Sequence, residues 1–101
     1  SESSEQVRKR VNRTRAVQLE RFKDDGITSN GEMSEKHIKK YCKLSAEGED
    51  VLRYAFESLK MSARARSRIL KVARTIADME LSENIETNHL LEAISYRGDD
   101  L

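Results

Sequence analysis

Apolar positions along this chain recur at helical spacing and almost nowhere alternate. Val51, Leu52, Ala55, Phe56 and Leu59 follow the i, i+3, i+4, i+7 pattern of a single buried helix face. Ser45 stands before this run, and Glu47, Glu49 and Asp50 fill its first turn, where the helix dipole favours acids. A helix over about Ala46–Lys60 is predicted. The next apolar set, Ala65, Ile69, Leu70, Val72, Ala73, Ile76 and Ala77, spans one broad arc at 100° per residue. It predicts a helix from Ala63 to Glu80, capped by Ser62. Arg64, Arg68, Lys71 and Arg74 fall on the opposite arc with Asp78 as its one acid, whereas Arg66 projects into the apolar arc. The Arg66 stem can pack there while its guanidinium reaches water.

Weaker patterns complete the set. Leu90, Leu91 and Ile94 give the inner face of a last helix, about Asn88–Tyr96, capped by Thr87. Ser34 caps a short helix to about Cys42 with Ile38, Tyr41 and Cys42 inward, after a loop over 26–33 marked by the turn pair Asn30-Gly31. The first helix is predicted from Glu5 to Asp25, with Ser3 and Gln6 as a capping box and Gly26 as its C-terminal cap. Val7, Val11, Arg15, Gln18 and Phe22 share one of its faces, apolar at the ends and polar in the middle. Either that middle is simply solvated, or Arg15 and Gln18 form an interface with a surface outside this chain. The fold class is therefore all-α, a bundle of about five helices in one domain. Its parts are an N-terminal linking helix over 1–25, a bundle over 34–97 and a tail over 98–101.

Composition narrows the reading. Proline is absent and glycine occurs four times, so little interrupts helices. Hydrophobic residues make up 37% of the 101 residues, with two Phe and no Trp, so the core must be lean and aliphatic. Nineteen basic residues oppose eighteen acidic ones, a balance that argues against a strongly electrostatic nucleic-acid binder. Locally the balance fails, since residues 8–23 carry seven bases and one acid. Cys42 is the only cysteine, so no internal disulfide can form and a cytoplasmic setting fits. No apolar run approaches the ~20 residues of a membrane span, and no membrane partner is expected. The polar start at Ser1 is expected to be a cut from something larger.

Candidate chemistry is sparse. Neither a GxxxxGK[ST] loop nor a GxGxxG turn is present. His37 and His89 lack partners at metal-ligand spacing and read as surface or capping residues; no metal site is expected. Cys42 reads as a small core residue. On its own the chain is not expected to be an enzyme, and no catalytic residue is assigned. What stands out is Arg64, Arg66 and Arg68 at the start of a helix, where cations cost a few tenths to about 1 kcal/mol each. They could be a solvated face pairing with neighbouring acids at about 0–1 kcal/mol per pair. Alternatively, free backbone N–H groups and Arg64 together form an anion site, with phosphate the obvious ligand.

The run "LKMSARARSRILKVARTIADME", followed by "NHLLEAISYR", resembles the C-terminal domain of the magnesium-chelatase-like AAA+ ATPases. That family includes the chelatase ATPase subunit and bacterial relatives of the competence (ComM/YifB) type. Upstream, Val11, Arg15, Gln18, Arg21 and Phe22 fit the same family, so the likeness covers nearly the whole chain. The resemblance implies a helical lid that packs over nucleotide held by a larger core. Arg64 would be its sensor-2 arginine on the ATP phosphates, with Arg68 a weaker candidate for support or for contact with a neighbouring subunit. It further implies ATP and Mg2+ in the full-length parent, and a phosphate loop, magnesium-binding acids and arginine finger upstream of Ser1. A homo-oligomeric, hexameric ring and, for the competence type, DNA as a partner are expected as well. Nucleotide should bind the isolated chain weakly or not at all. The sequence departs from the family at Arg66, where relatives often carry an aromatic, which makes Arg66 a packing residue at the core edge. If the Arg15 and Gln18 face rests on the core, residues 1 to about 6 are expected to fray in this chain. A stand-alone nucleic-acid-binding module using the basic face is the alternative. It would show steeply salt-dependent binding.

Overall fold

Helix α4, Ala63–Met79, is the element around which the others pack. The structure, a computed structural model, describes the backbone of residues 1–100 and the side chains of residues 1–96. The order is α1 (Ser4–Arg21), a single 3-10 turn (Asn30–Glu32), α2 (Glu35–Tyr41), α3 (Ala46–Ser58), α4, and α5 (Thr87–Asp100). No strand occurs among the described residues, so the all-α class and the five helices stand. Helices α1, α2 and α5 and the 3-10 turn all pack on α4, while α3 packs on α5. The arc that the sequence marks as apolar explains this. Ala65, Ile69, Leu70, Ala73, Ile76 and Ala77 are all buried, and the small alanines let neighbours approach closely. Leu52 of α3 and Leu90 and Ala93 of α5 close the core. Val72, which falls on the same arc, lies at its edge and is exposed.

Four of the five helix starts follow the sequence. The exception is Thr87, expected as a cap, which is the first residue of α5, so that Glu86 precedes the helix and its N–H is met by His89. Ser3 Oγ accepts the Gln6 N–H at 3.1 Å and Gln6 Oε1 accepts the Ser3 N–H at 3.0 Å, completing the capping box. Ser45 and Ser62 cap α3 and α4 through the N–H groups of Gly48 and Ala65, at 3.0 and 3.1 Å. Before α2, the Ser34 N–H donates to Nδ1 of His37 at 3.0 Å.

Helix ends differ from expectation. Helix α1 stops at Arg21, not Asp25, because Phe22 leaves the helix to bury itself edge-on against Tyr41 at 5.3 Å. Gly26 then carries the chain round at φ +76°, a conformation open to glycine without strain. Helix α3 ends at Ser58, and Lys60 turns at φ +52°. Leu59, assigned inward by periodicity, is therefore past the helix and exposed. Leu91 is also exposed rather than inward, since Leu90, Ala93 and Ile94 already fill the face that α5 presents. Helix α5 begins at Thr87 and runs on to Asp100, beyond Tyr96; of the expected tail, Leu101 lies outside the described residues.

Candidate functional site

The first turn of α4 contains no acid to offset its dipole. Ser62 accounts for two of the backbone N–H groups there, its Oγ accepting from Ala65 and its carbonyl from Arg66, both at 3.1 Å. The N–H groups of Ala63 and Arg64 have no acceptor among the described residues. Arg64 and Arg68 are exposed, and with Arg66, Ser67, Lys71 and Glu35 they line an open depression of about 660 Å³. Three of these residues are tied down. Arg66 lies 3.6 Å from Glu49 of α3, half-buried at the core edge as its position on the apolar arc predicts. The Ser67 hydroxyl donates to Glu35 at 2.6 Å, and Lys71 donates to the Gly31 carbonyl at 3.2 Å. Arg64 and Arg68 make no ion pair among the described residues. The depression thus presents two free guanidiniums beside unused backbone donors, a combination suited to an oxyanion.

Arg74 does not belong to this face. The helical wheel places it with Arg64 and Arg68 on a solvated arc, yet it is 4% exposed and Asp78, one turn on, is 1% exposed. The reason is that α1 and the 3-10 turn lie over this part of α4. Arg21, at the end of α1, grips Asp78 with both Nη atoms, at 2.6 Å to Oδ1 and 2.8 Å to Oδ2. Arg74 Nε donates to Oδ1 at 3.1 Å, and Asn30 Nδ2 donates to Oδ2 at 2.9 Å. Arg74 also donates to the carbonyls of Ser82 and Glu83, at 2.7 and 3.0 Å. Burial pushes the Asp78 carboxyl up. The hydrogen bonds from Arg21 and Asn30 and the charges of Arg21 and Arg74 together outweigh burial, leaving its pKa below the usual carboxylate value. The sequence reading names Arg21 in the family pattern and Asn30 in a turn, but not their convergence on Asp78. The one signal for it is that Asp78 stands alone among bases, as a buried acid with cationic partners would.

Gln18 sits inside the domain, where its Oε1 accepts the Asn30 N–H at 2.9 Å. Arg15 is exposed, and it lines an open depression together with Val11, Leu19 and the edge of Gln18. The two therefore differ in burial but border the same depression. His37 and His89 both act as caps, but His89 is buried, not on the surface. Its Nδ1 accepts the Glu86 N–H at 2.9 Å, and its Nε2 lies 2.9 Å from Glu80. Cys42 is buried as expected, and burial raises its thiol pKa to about 11.

Comparison with known proteins adds to this geometry. The family described as magnesium chelatase, subunit ChlI C-terminal, matches residues 1–97. Competence protein ComM of Haemophilus influenzae is 41% identical over 97 residues, which is 96% of this chain and 18% of that protein. The uncharacterized proteins YifB of Salmonella typhimurium and Escherichia coli are 42% and 40% identical over 99 residues, 98% of this chain and 19% of each. The chain thus spans under a fifth of the length of the curated relatives it matches.

Proposed function

The chain belongs to the magnesium chelatase subunit ChlI C-terminal family, and from that membership we propose that it is the helical lid of a larger AAA+ ATPase. Arg64 is its sensor-2 residue and meets the phosphates of bound ATP. The observation that carries this assignment is the pairing of an unpartnered Arg64 with the free N–H groups of the first α4 turn. A guanidinium there costs helix stability unless an anion neutralises it, and a polyphosphate does so. Arg68, one turn on, supports the same site or faces a neighbouring subunit of a homo-oligomeric ring.

The residues present fit a phosphate but not its metal. Among the described residues, no three His, Cys, Asp or Glu side chains converge on a point. Magnesium and the phosphate loop accordingly belong to segments outside this chain, as does the bulk of the binding energy for ATP. Bound nucleotide would bring the transferable phosphoryl group. Arg64 contributes charge that holds the terminal phosphate and stabilises the charge developing during transfer. Because that contact exists with the triphosphate and weakens after hydrolysis, the lid angle follows nucleotide state.

Replacing Arg64 by alanine in the full-length protein is expected to lower ATP turnover by about tenfold or more. The circular dichroism spectrum should be retained and the melting point should not fall, because Arg64 touches nothing in the core and its charge opposes the helix dipole. Wild-type turnover in that variant would remove Arg64 from the site.

A further inference from the structure

At the opposite end of α4 from Arg64, a cavity of about 530 Å³ opens between α1, α2 and the segment after α4. Arg21, Arg74 and Asp78 line it together with Lys40, Lys43 and Glu83, four cations against two carboxylates. Both lysines are exposed and neither makes an ion pair among the described residues; Lys43 is the freer, since Lys40 lies over the Tyr41 ring at 4.9 Å and near Asp25 and Asp24. The aspartate cannot take more hydrogen bonds. Oδ1 already accepts from Arg21 and Arg74, and Oδ2 accepts from Arg21 and Asn30.

The arginines have donors to spare. Arg21 makes three hydrogen bonds and Arg74 three, fewer than a guanidinium can donate. Two guanidiniums facing one carboxylate also leave a positive charge uncompensated, with Arg74 almost wholly out of solvent. Water could meet the spare N–H groups but would leave the charge. An oxyanion meets both needs.

We propose that this cavity is a binding site for a phosphate-bearing small molecule. Its oxyanion accepts from the spare guanidinium donors of Arg21 and Arg74, and Lys40 and Lys43 hold it electrostatically at the mouth. The cavity leaves room beyond a bare phosphate, so an ester and the free ion share the same chemistry at this site and are told apart by the test. The site is separate from the Arg64 face in residues and in position.

The test follows the Nε–H signal of Arg21 and the Nη–H signals of Arg74 by ¹⁵N NMR at constant ionic strength. Inorganic phosphate and ribose 5-phosphate are titrated in separate arms. Saturable shifts are expected at both arginines; tighter binding of the ester would support the site with the ester as its ligand, and equal affinity for the two would support it with free phosphate. Lys40→Gln combined with Lys43→Gln should weaken binding about tenfold, the worth of ~1.4 kcal/mol. Both lysines lie outside the buried network, so the variant should fold, and an unchanged backbone spectrum checks that. Arg64→Ala should leave the affinity unchanged. Absence of saturable shifts up to ~10 mM ligand overturns the proposal, being weaker than any useful site. Undiminished affinity in the double variant, or loss of binding in Arg64→Ala, overturns it equally.

Discussion

Asp78 is the residue on which the docking of α1 depends. It neutralises Arg21 and Arg74 at once, and no other carboxylate reaches either of them among the described residues. Asp78→Asn keeps the shape and removes the charge, leaving two guanidiniums buried without a counter-ion. A loss of about 3–5 kcal/mol is expected, read as a lower urea midpoint at pH 7. Acid should act in the same direction. The folded pKa of Asp78 lies below its unfolded value of about 3.9, so its contribution is complete above that value. It is lost as pH falls through the folded pKa. Wild type should therefore lose more stability than Asp78→Asn as the pH drops from about 5 to 2. The periodicity of α4 places Arg74 and Asp78 correctly on the arc opposite the alanines, yet it cannot say what covers that arc. The cover is polar, Gln18 and Arg21 on α1 and Asn30 in a turn, and hydrophobic pattern is blind to polar packing.

Among the elements, starts were mostly legible and ends were not. A helix start is written in a side-chain acceptor, and the serines at 3, 34, 45 and 62 are all found there. Ends lack such a mark here, since Lys60 and Leu81 take positive φ without being glycine. The two caps made by Ser62 and Ser3 should behave differently. Ser62→Ala removes a cap from the helix that everything else packs on, so about 1 kcal/mol of global stability should go with it. Ser3→Ala removes an equivalent bond from a turn that is exposed and unpacked. That variant should lose a little helicity by circular dichroism and keep its urea midpoint. Equal shifts in the two variants would mean that the start of α1 is packed more firmly than its exposure implies.

Across the whole molecule, cohesion is concentrated in α4 and fades outward along α1. The class and the helix count came from periodicity and the absence of breakers, both properties of local sequence. The candidate phosphate site was legible too, because charges at the wrong end of a helix are visible without coordinates. Which arginines remain free was legible only in part. The arc placed Arg66 at the core edge, but not its pairing with Glu49, nor the claim on Arg74 by Asp78 and by carbonyls just past the end of its own helix. Native-state hydrogen exchange should show the gradient. Amides of Ile69, Ala73 and Ala77 are expected to exchange only by global opening, and those of the first two turns of α1 by local fraying. Protection at Val7 equal to that at Ala73 would contradict this.

The grip of Arg21 on Asp78 also has a mechanical consequence. Helix α1 is held at its C-terminal end, while its first turns touch little. Eighteen residues at 1.5 Å each make it about 27 Å long. Thr14 and Gln18 are buried, so the free arm is the part before Thr14, about 15 Å, and a bend of about 10° there would carry the tip through about 3 Å. Helix α1 is thus an arm clamped at one end by a buried carboxylate, and a rotation of the bundle would be carried out along it as a displacement that grows with distance from the clamp.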